Sequence, residues 1–343
     1  MPRLNALADV LFPVELQPVF AGASDGRPLL VSDKRAIVDA DRGRVLGIVS
    51  RDYRLVTNRE ALDWAYQCCK AVFPDTKETE WEAMAVDAPA TGGHCFIDLI
   101  HNTTALDFNT VPAQARPDVF GPFIRLTNSY NGLRALSFNV GFLRKVCKNG
   151  LILPQTIITF SFAHLRRKIA ERIEFQVSHE RLAHLKNSFG SYIEVLRSFQ
   201  IPRQQIDPFV GAIIGVRTPK QLRPKTREAA DWEALTVHLR ELGERYATEL
   251  GENAYAVLNA VTEFASHPPV NCHVHRERHG LQRLAGVWLT DFSKRCTRPD
   301  FDLSKYLTEI QEAASNDDDS SVEAHPPSQG STTEWYARRL FGR

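Results

Sequence analysis

The sequence has no excess of either charge: 42 Lys and Arg stand against 41 Asp and Glu, a formal net charge of +1 over 343 residues. A chain so balanced has no global basic field, so contact with a polyanion has to come from local clusters. Long apolar runs are also missing. The stretch from Leu151 to Phe162 is broken by Pro154, Gln155 and Thr156 and falls short of the roughly 20 residues that cross a bilayer, so no membrane span is expected. Met1 to Val10 carries Arg3, Asn5 and Asp9 without an apolar core, unlike a secretory signal, and the cytosol is the expected compartment. None of the six cysteines (Cys68, Cys69, Cys95, Cys147, Cys272, Cys296) forms a C-x-x-C pair, which points to reduced, buried thiols and away from a disulfide framework. A phosphate loop of the G-x-x-x-x-G-K-[ST] type is absent as well, which argues against nucleotide hydrolysis.

What is present is enough apolar residue, 43%, to build cores for two ordinary domains. Residues 1–31, with Pro13, Pro18, Gly22 and Gly26, read as an irregular arm. Residues 32–165 read as an antiparallel α+β domain. Arg35 to Val38 and Arg44 to Val49 are two strands around a polar turn where Gly43 is free to take positive φ. Thr57-Asn-Arg-Glu60 is a capping box, and Leu62, Ala65, Cys69 and Val72 recur at helical spacing, which predicts a helix stopped by Pro74. Glu80 to Ala85 and His94 to Ile100 alternate with period two and predict strands. Asn131-Gly132, between Phe123 to Tyr130 and Ala135 to Phe142, predicts a tight type I′ hairpin.

Over residues 166–312 the period changes. Leu182, Leu185, Phe189, Ile193 and Leu196 form one helical stripe, and Trp232, Leu235, Leu239, Leu242 and Tyr246 another. Pro202, Pro208, Pro219 and Pro224 predict a loop-rich connection between them. Residues 313–343, with Asn316-Asp-Asp-Asp-Ser-Ser321, predict a disordered acidic tail ending in an amphipathic segment around Trp335 and Phe341. The expected class is α+β: a hairpin-rich N-terminal half with one packed helix, then a helical half.

Three stretches carry a family resemblance: Val45-Leu-Gly-Ile-Val-Ser-Arg-Asp-Tyr-Arg-Leu-Val-Thr-Asn58; Asn128-Ser-Tyr-Asn-Gly132 running on to Val146-Cys-Lys-Asn-Gly-Leu151; and Asn259-Ala-Val-Thr-Glu-Phe264. In order and spacing the chain resembles the phage/plasmid-like family known as domain of unknown function nine-three-two, over about Ser32 to Phe292. The resemblance implies a mobile-element protein and no particular reaction. In element order the chain is also similar to single-strand annealing proteins of the Rad fifty-two and Erf kind, an analogy of fold alone.

Charge supplies the main functional expectation. Between Arg134 and Arg172 stand eight basic residues and one acidic one, Glu171, and between Arg217 and Arg227 five basic residues and no acid. Arg134, Arg144, Lys145, Lys148, Arg166, Arg167, Lys168, Lys220, Arg223, Lys225 and Arg227 are the expected phosphate contacts, with Tyr130, Phe138 and Phe142 as base-stacking candidates. Solvated charged faces are the plainer account of the same residues. Cys272, His273, His275 and His279 are weak zinc candidates, since surface histidines on a loop explain them as well. Cys95 beside His94 and His101 reads as packing more readily than as a nucleophile. Asp39, Asp41, Asp52, Asp98, Glu80 and Glu82 would serve a Mg²⁺-dependent nuclease only if they converged, which no spacing requires. Glu309 to Glu323, with six acids and no base, could dock a protein partner. The functions expected are, first, a DNA-binding accessory factor acting on single strands, without a cofactor and as a homo-oligomer; next, an interaction protein that blocks a host defence factor; and last, a metal-dependent nuclease.

Overall fold

The computed structural model describes residues 6–103, 106–107, 119–145, 149–153, 161–162, 177, 179–216, 227–269 and 278–315. The chain divides into two units, each discontinuous in sequence. One takes Met1–Thr104, Gly121–Gly141 and Thr156–Leu182; the other takes Ala105–Phe120, Phe142–Gln155 and Ala183–Arg343. The sequence placed one boundary at residue 165, between the segments 32–165 and 166–312; the two units interleave along the chain.

The first unit begins with a helical turn, α1 (Leu7–Val10), then β1 (Val14–Gly22), β2 (Pro28–Asp39) and β3 (Arg44–Ser50). These pair antiparallel in the order β1-β2-β3. The segment expected to be an irregular arm is therefore a strand and the start of a second. Pro18 is tolerated because β1 is an edge strand and the register breaks there: Pro18 faces Arg35, while Val19 faces Val31. Gly43 turns β2 into β3 with φ 60°, as expected. One face of this sheet contributes Ile37 and Val49 to a core completed by Phe12, Leu46, Tyr53 and Tyr130.

Helix α2 (Asn58–Val72) starts at the expected capping box, with Thr57 Oγ1 accepting from the Glu60 backbone at 3.1 Å and Glu60 Oε2 accepting from the Thr57 backbone at 2.8 Å. It buries Leu62, Ala65, Cys69 and Val72 and ends two residues before Pro74. The larger sheet follows: β4 (Trp81–Asp87), β5 (His94–His101), β6 (Leu106–Asp107), β7 (Val119–Ser129), β8 (Leu136–Arg144), β9 (Asn149–Ile152) and β10 (Ser161–Phe162). Its order is β10-β8-β7-β5-β4, with β6 on β7 and β9 on β8. Asn131-Gly132 does lie between β7 and β8, and Gly132 has φ 73°, but the strands stop at Ser129 and resume at Leu136, so the connection is wider than a two-residue turn.

Helices make up most of the second unit: α3 (His179–Ser198), whose first residues belong to the other unit, α4 (Arg203–Ile214), α5 (Arg227–Leu250), α6 (Ala254–Ser266), α7 (Arg278–Arg295) and α8 (Leu303–Ser315). The first expected stripe, Leu182 to Leu196 on α3, is buried, and so is the second on α5 from Leu235 to Tyr246, while Trp232 is half-buried. The proline-rich connection is corrected in part, for it contains α4 with Pro208 inside it. Ile206, Phe209, Val210, Ile213 and Ile214 are buried there, and at about 1.5–3 kcal/mol per buried apolar side chain they outweigh the roughly 3 kcal/mol cost of a helix-interior proline. Asn253 caps α6 by accepting from the Ala256 backbone at 3.0 Å. Every residue of α6 except Glu263 is buried, and α4, α5, α7 and β9 pack on it. Among the described residues no helix is long and apolar enough to cross a membrane. The expected acidic tail lies outside the described residues beyond Ser315.

Candidate functional site

The stretches that carried the family resemblance meet pairwise, each time through polar groups. In the first unit the Tyr53 hydroxyl donates to the Ser129 carbonyl at 2.7 Å, and the Tyr130 hydroxyl accepts from the Asn58 backbone at 2.8 Å. Asn128 Nδ2 donates to the Val56 carbonyl at 3.0 Å and to Asn58 Oδ1 at 2.8 Å, and Asn58 Nδ2 donates to the Val10 carbonyl at 2.7 Å. Tyr53, Asn58, Asn128 and Tyr130 are all buried, and burial raises both phenol pKa values. Gly47 allows this approach: a Cβ there would lie 2.6 Å from Asn131 Cα and from the Tyr130 carbonyl oxygen. The network is a neutral clasp, fixing the small sheet and the N-terminus of α2 against the end of β7.

On the same unit, β5 and β7 place Asp98 opposite Arg125 and Phe96 opposite Thr127. Arg125 donates through Nε and Nη2 to the two Asp98 oxygens, both at 2.5 Å. With Arg125 1% and Asp98 5% exposed, the pair is a buried bidentate bridge, which fixes register more surely than it adds stability. Arg125 Nη1 and Thr127 Oγ1, two positions apart on one face of β7, have no hydrogen-bond partner among the described residues. The Arg134 guanidinium lies over the Phe96 ring at 5.2 Å.

In the second unit, Arg245 and Tyr246 both donate to Glu263, and Asn149 Nδ2 donates to the Tyr246 hydroxyl at 3.0 Å. Ser266 Oγ accepts from the Gly150 backbone and from Gln282 Nε2, each at 3.1 Å. Burial pushes the Glu263 carboxyl upward, but the hydrogen bonds from Arg245 and Tyr246 outweigh it and the net shift is downward. His238, against Phe264, has its pKa lowered by burial. This second meeting of family stretches is charged, and it ties β9 to α5, α6 and α7.

The expected binding residues fare unevenly. Arg144 is 6% exposed and paired with Glu249 at 3.5 Å, which withdraws it from phosphate contact. Lys145 follows it, with its pKa lowered by burial, and Arg134 stacks on Phe96 as described. Arg227 begins α5; Lys148, Arg166, Arg167, Lys168, Lys220, Arg223 and Lys225 lie outside the described residues. The base-stacking assignment is overturned by packing: Tyr130, Phe138 and Phe142 are 1%, 3% and 0% exposed. Phe142 stacks on Phe189 with ring centroids 4.6 Å apart, and Tyr130 sits against Phe12, so no ring face is open to a base. An even-numbered position in a strand reads the same whether its face meets solvent or core, which is why the sequence misled here.

Several residues weighed for other chemistries are buried or held by a partner. Cys95 is buried, and desolvation pushes its thiol up to about 12; Cys68 and Cys69 are buried free thiols, also raised by burial. Asp98 is held by Arg125, Asp39 by Arg42 and Arg44, and Glu80 by His101. Among the described residues no group of three His, Cys, Asp or Glu could hold a metal. His279 is buried on α7, and Cys272, His273 and His275 lie outside the described residues. Gly22-Ala-Ser-Asp-Gly26 spells G-x-S-x-G, but it joins two antiparallel strands and is not the strand-to-helix elbow a serine nucleophile needs. What sequence reasoning missed is that Tyr53, Asn58, Asn149, Tyr246 and Glu263 form contacts; for all but Tyr246, which belongs to a helical stripe, their place in the family stretches was the only signal.

No curated protein matches the chain, and no solved structure does. Residues 45–288, well over half of the chain and spanning all three stretches, match the family model described as Domain of unknown function (DUF932), and the chain belongs to that family.

Proposed function

We propose that the protein is a DNA-binding accessory factor of a mobile element, acting in the cytosol on single-stranded DNA and promoting strand annealing without a cofactor. The observation that carries the reading is the segregation of charge in a chain whose net charge is only +1. Eight bases stand against one acid from Arg134 to Arg172, and five bases against none from Arg217 to Arg227. Arg144 is spent on Glu249, so phosphate contact rests on Lys148, Arg166, Arg167 and Lys168, with Lys220, Arg223, Lys225 and Arg227 from the second cluster. Contacts of this kind release counterions, so affinity falls steeply with salt, with a slope that counts the phosphates engaged on a single strand.

A gel shift on a single-stranded oligonucleotide across a salt series tests it. The wild-type chain is expected to bind at low ionic strength, and the triple variant Arg166→Glu, Arg167→Glu, Lys168→Glu to lose roughly ten-fold or more in affinity with a shallower salt slope. No binding by the wild type at low salt ends the proposal.

A further inference from the structure

Leu133 is the most exposed large apolar side chain among the described residues, with 68% of its surface open. A single exposed leucine is ordinary; the turn that carries this one is not. Leu133 lies on the connection between β7 and β8, directly after Gly132 at φ 73°. The Tyr130 and Asn131 backbones donate to the Gly93 carbonyl at 2.7 and 3.1 Å, and Asn131 Oδ1 accepts from Ser129 Oγ at 2.7 Å and from the Leu133 backbone at 3.2 Å. Two glycines let other elements close on the base of the turn: Gly47 of β3, whose approach to Tyr130 and Asn131 is described above, and Gly93, where a Cβ would lie 3.1 Å from Asn131 Nδ2. The turn is tied down before any partner arrives, so a contact made by Leu133 loses little to the ordering of its own loop.

Charge selects the partner. No Asp or Glu occurs from Val119 to Ala170. Arg134 follows Leu133, with its guanidinium 5.2 Å from the centroid of the Phe96 ring. The bond from the Tyr53 hydroxyl to the Ser129 carbonyl sets the exposed residues Arg51, Asp52 and Arg54 beside the same end of β7. Three arginines against one acid make the surroundings of the apolar tip positive, which suits a polyanion that also offers apolar faces. Single-stranded nucleic acid has both, phosphates along its backbone and bases whose flat faces pack on side chains. Leucine is among the side chains that part stacked bases by inserting between them. We propose that the β7-β8 turn is a wedge for single-stranded DNA, with Leu133 inserting between adjacent bases while Arg134, Arg51 and Arg54 draw the phosphates. A base parted from its neighbour in this way keeps its pairing edge open to a complementary strand. The inference rests on the DNA reading above and adds to it the side chain that meets the bases.

Titration of the full chain, across a salt series, into a single-stranded oligonucleotide carrying fluorescent adenine analogues that brighten when unstacked tests it. The wild type is expected to brighten the probe as it binds. Leu133→Ala should abolish the brightening and lose about five-fold in affinity, the low end of what contact with one base contributes. Its salt slope should be that of the wild type, because no phosphate contact is removed. Leu133→Met, an apolar side chain of similar volume, should restore the brightening, and Val237→Ala, at an exposed apolar position on α5, should change neither readout. Failure of the wild type to bind ends the DNA reading and the wedge with it. Binding without brightening, brightening that survives in Leu133→Ala, or a shallower salt slope in that variant would overturn the wedge alone.

Discussion

In the first unit, residues 53–58 hold the end of β7 through neutral groups alone: two phenols, two amides and backbone carbonyls. In the second, Asn149 and Gly150 are held to α5, α6 and α7 around a carboxylate, Glu263, with Arg245 beside it. Both solve one problem, that of fixing a strand end to a distant element. Neutral hydrogen bonds are worth about 0.5–1.5 kcal/mol each and bonds to a charge about 1.5–3, but only the charged network titrates.

The comparison breaks most sharply at the two glycines that let these junctions close. A Cβ on Gly286 of α7 would lie 2.0 Å from the Ile152 carbonyl oxygen, closer than the 2.6 Å contacts a Cβ on Gly47 would make. Gly286→Ala is expected to cost more than about 3 kcal/mol and Gly47→Ala about 2–3 kcal/mol in chemical denaturation. Tolerance of alanine at both sites would show that neither junction is closely packed.

Next in size, Asn128→Ala removes two donated bonds and leaves the Val56 carbonyl and Asn58 Oδ1 short of a donor, a loss of about 2 kcal/mol. The gap between variant and wild type should be the same at pH 4 as at neutral pH, because no member of the clasp titrates there. A gap that changes with pH would remove the contrast between the two networks.

Smallest is Glu263→Gln, about 1–2 kcal/mol at neutral pH. The folded carboxyl pKa lies below its ordinary value of 4.5. The stabilisation is therefore present above about pH 4.5 and is lost as pH falls through the folded pKa. Melting curves of wild type and variant should converge on acidification. A constant gap would mean that Glu263 acts by packing and not by charge.

How far the sequence alone could see follows from the range of each contact. The Gly43 hairpin and the Thr57 capping box are complete within a few residues, so their residue types sufficed. Asn131-Gly132 marks a turn, but the Tyr130 and Asn131 backbones both donate to the Gly93 carbonyl, and Asn131 Oδ1 accepts from Ser129 and from the Leu133 backbone. A distant loop thus sets the width of that connection, and no local pattern encodes it. The N-terminal prolines and Pro208 misled for the same reason: edge position and burial decide whether a proline is tolerated, and both are tertiary facts. Of the candidate site, the charge clusters were legible; the pairing of Arg144 with Glu249 and the burial of Tyr130, Phe138 and Phe142 were not.

The α+β class, the antiparallel strands, the two buried helical stripes and the family stretches were determined by the sequence itself, because periodicity and turn chemistry act over short separations. The tertiary structure decided which polar residues became clasps and which aromatic faces were sealed. Those outcomes depend on groups tens to more than a hundred residues apart meeting out of water, where a hydrogen bond left unmade costs more than one made contributes.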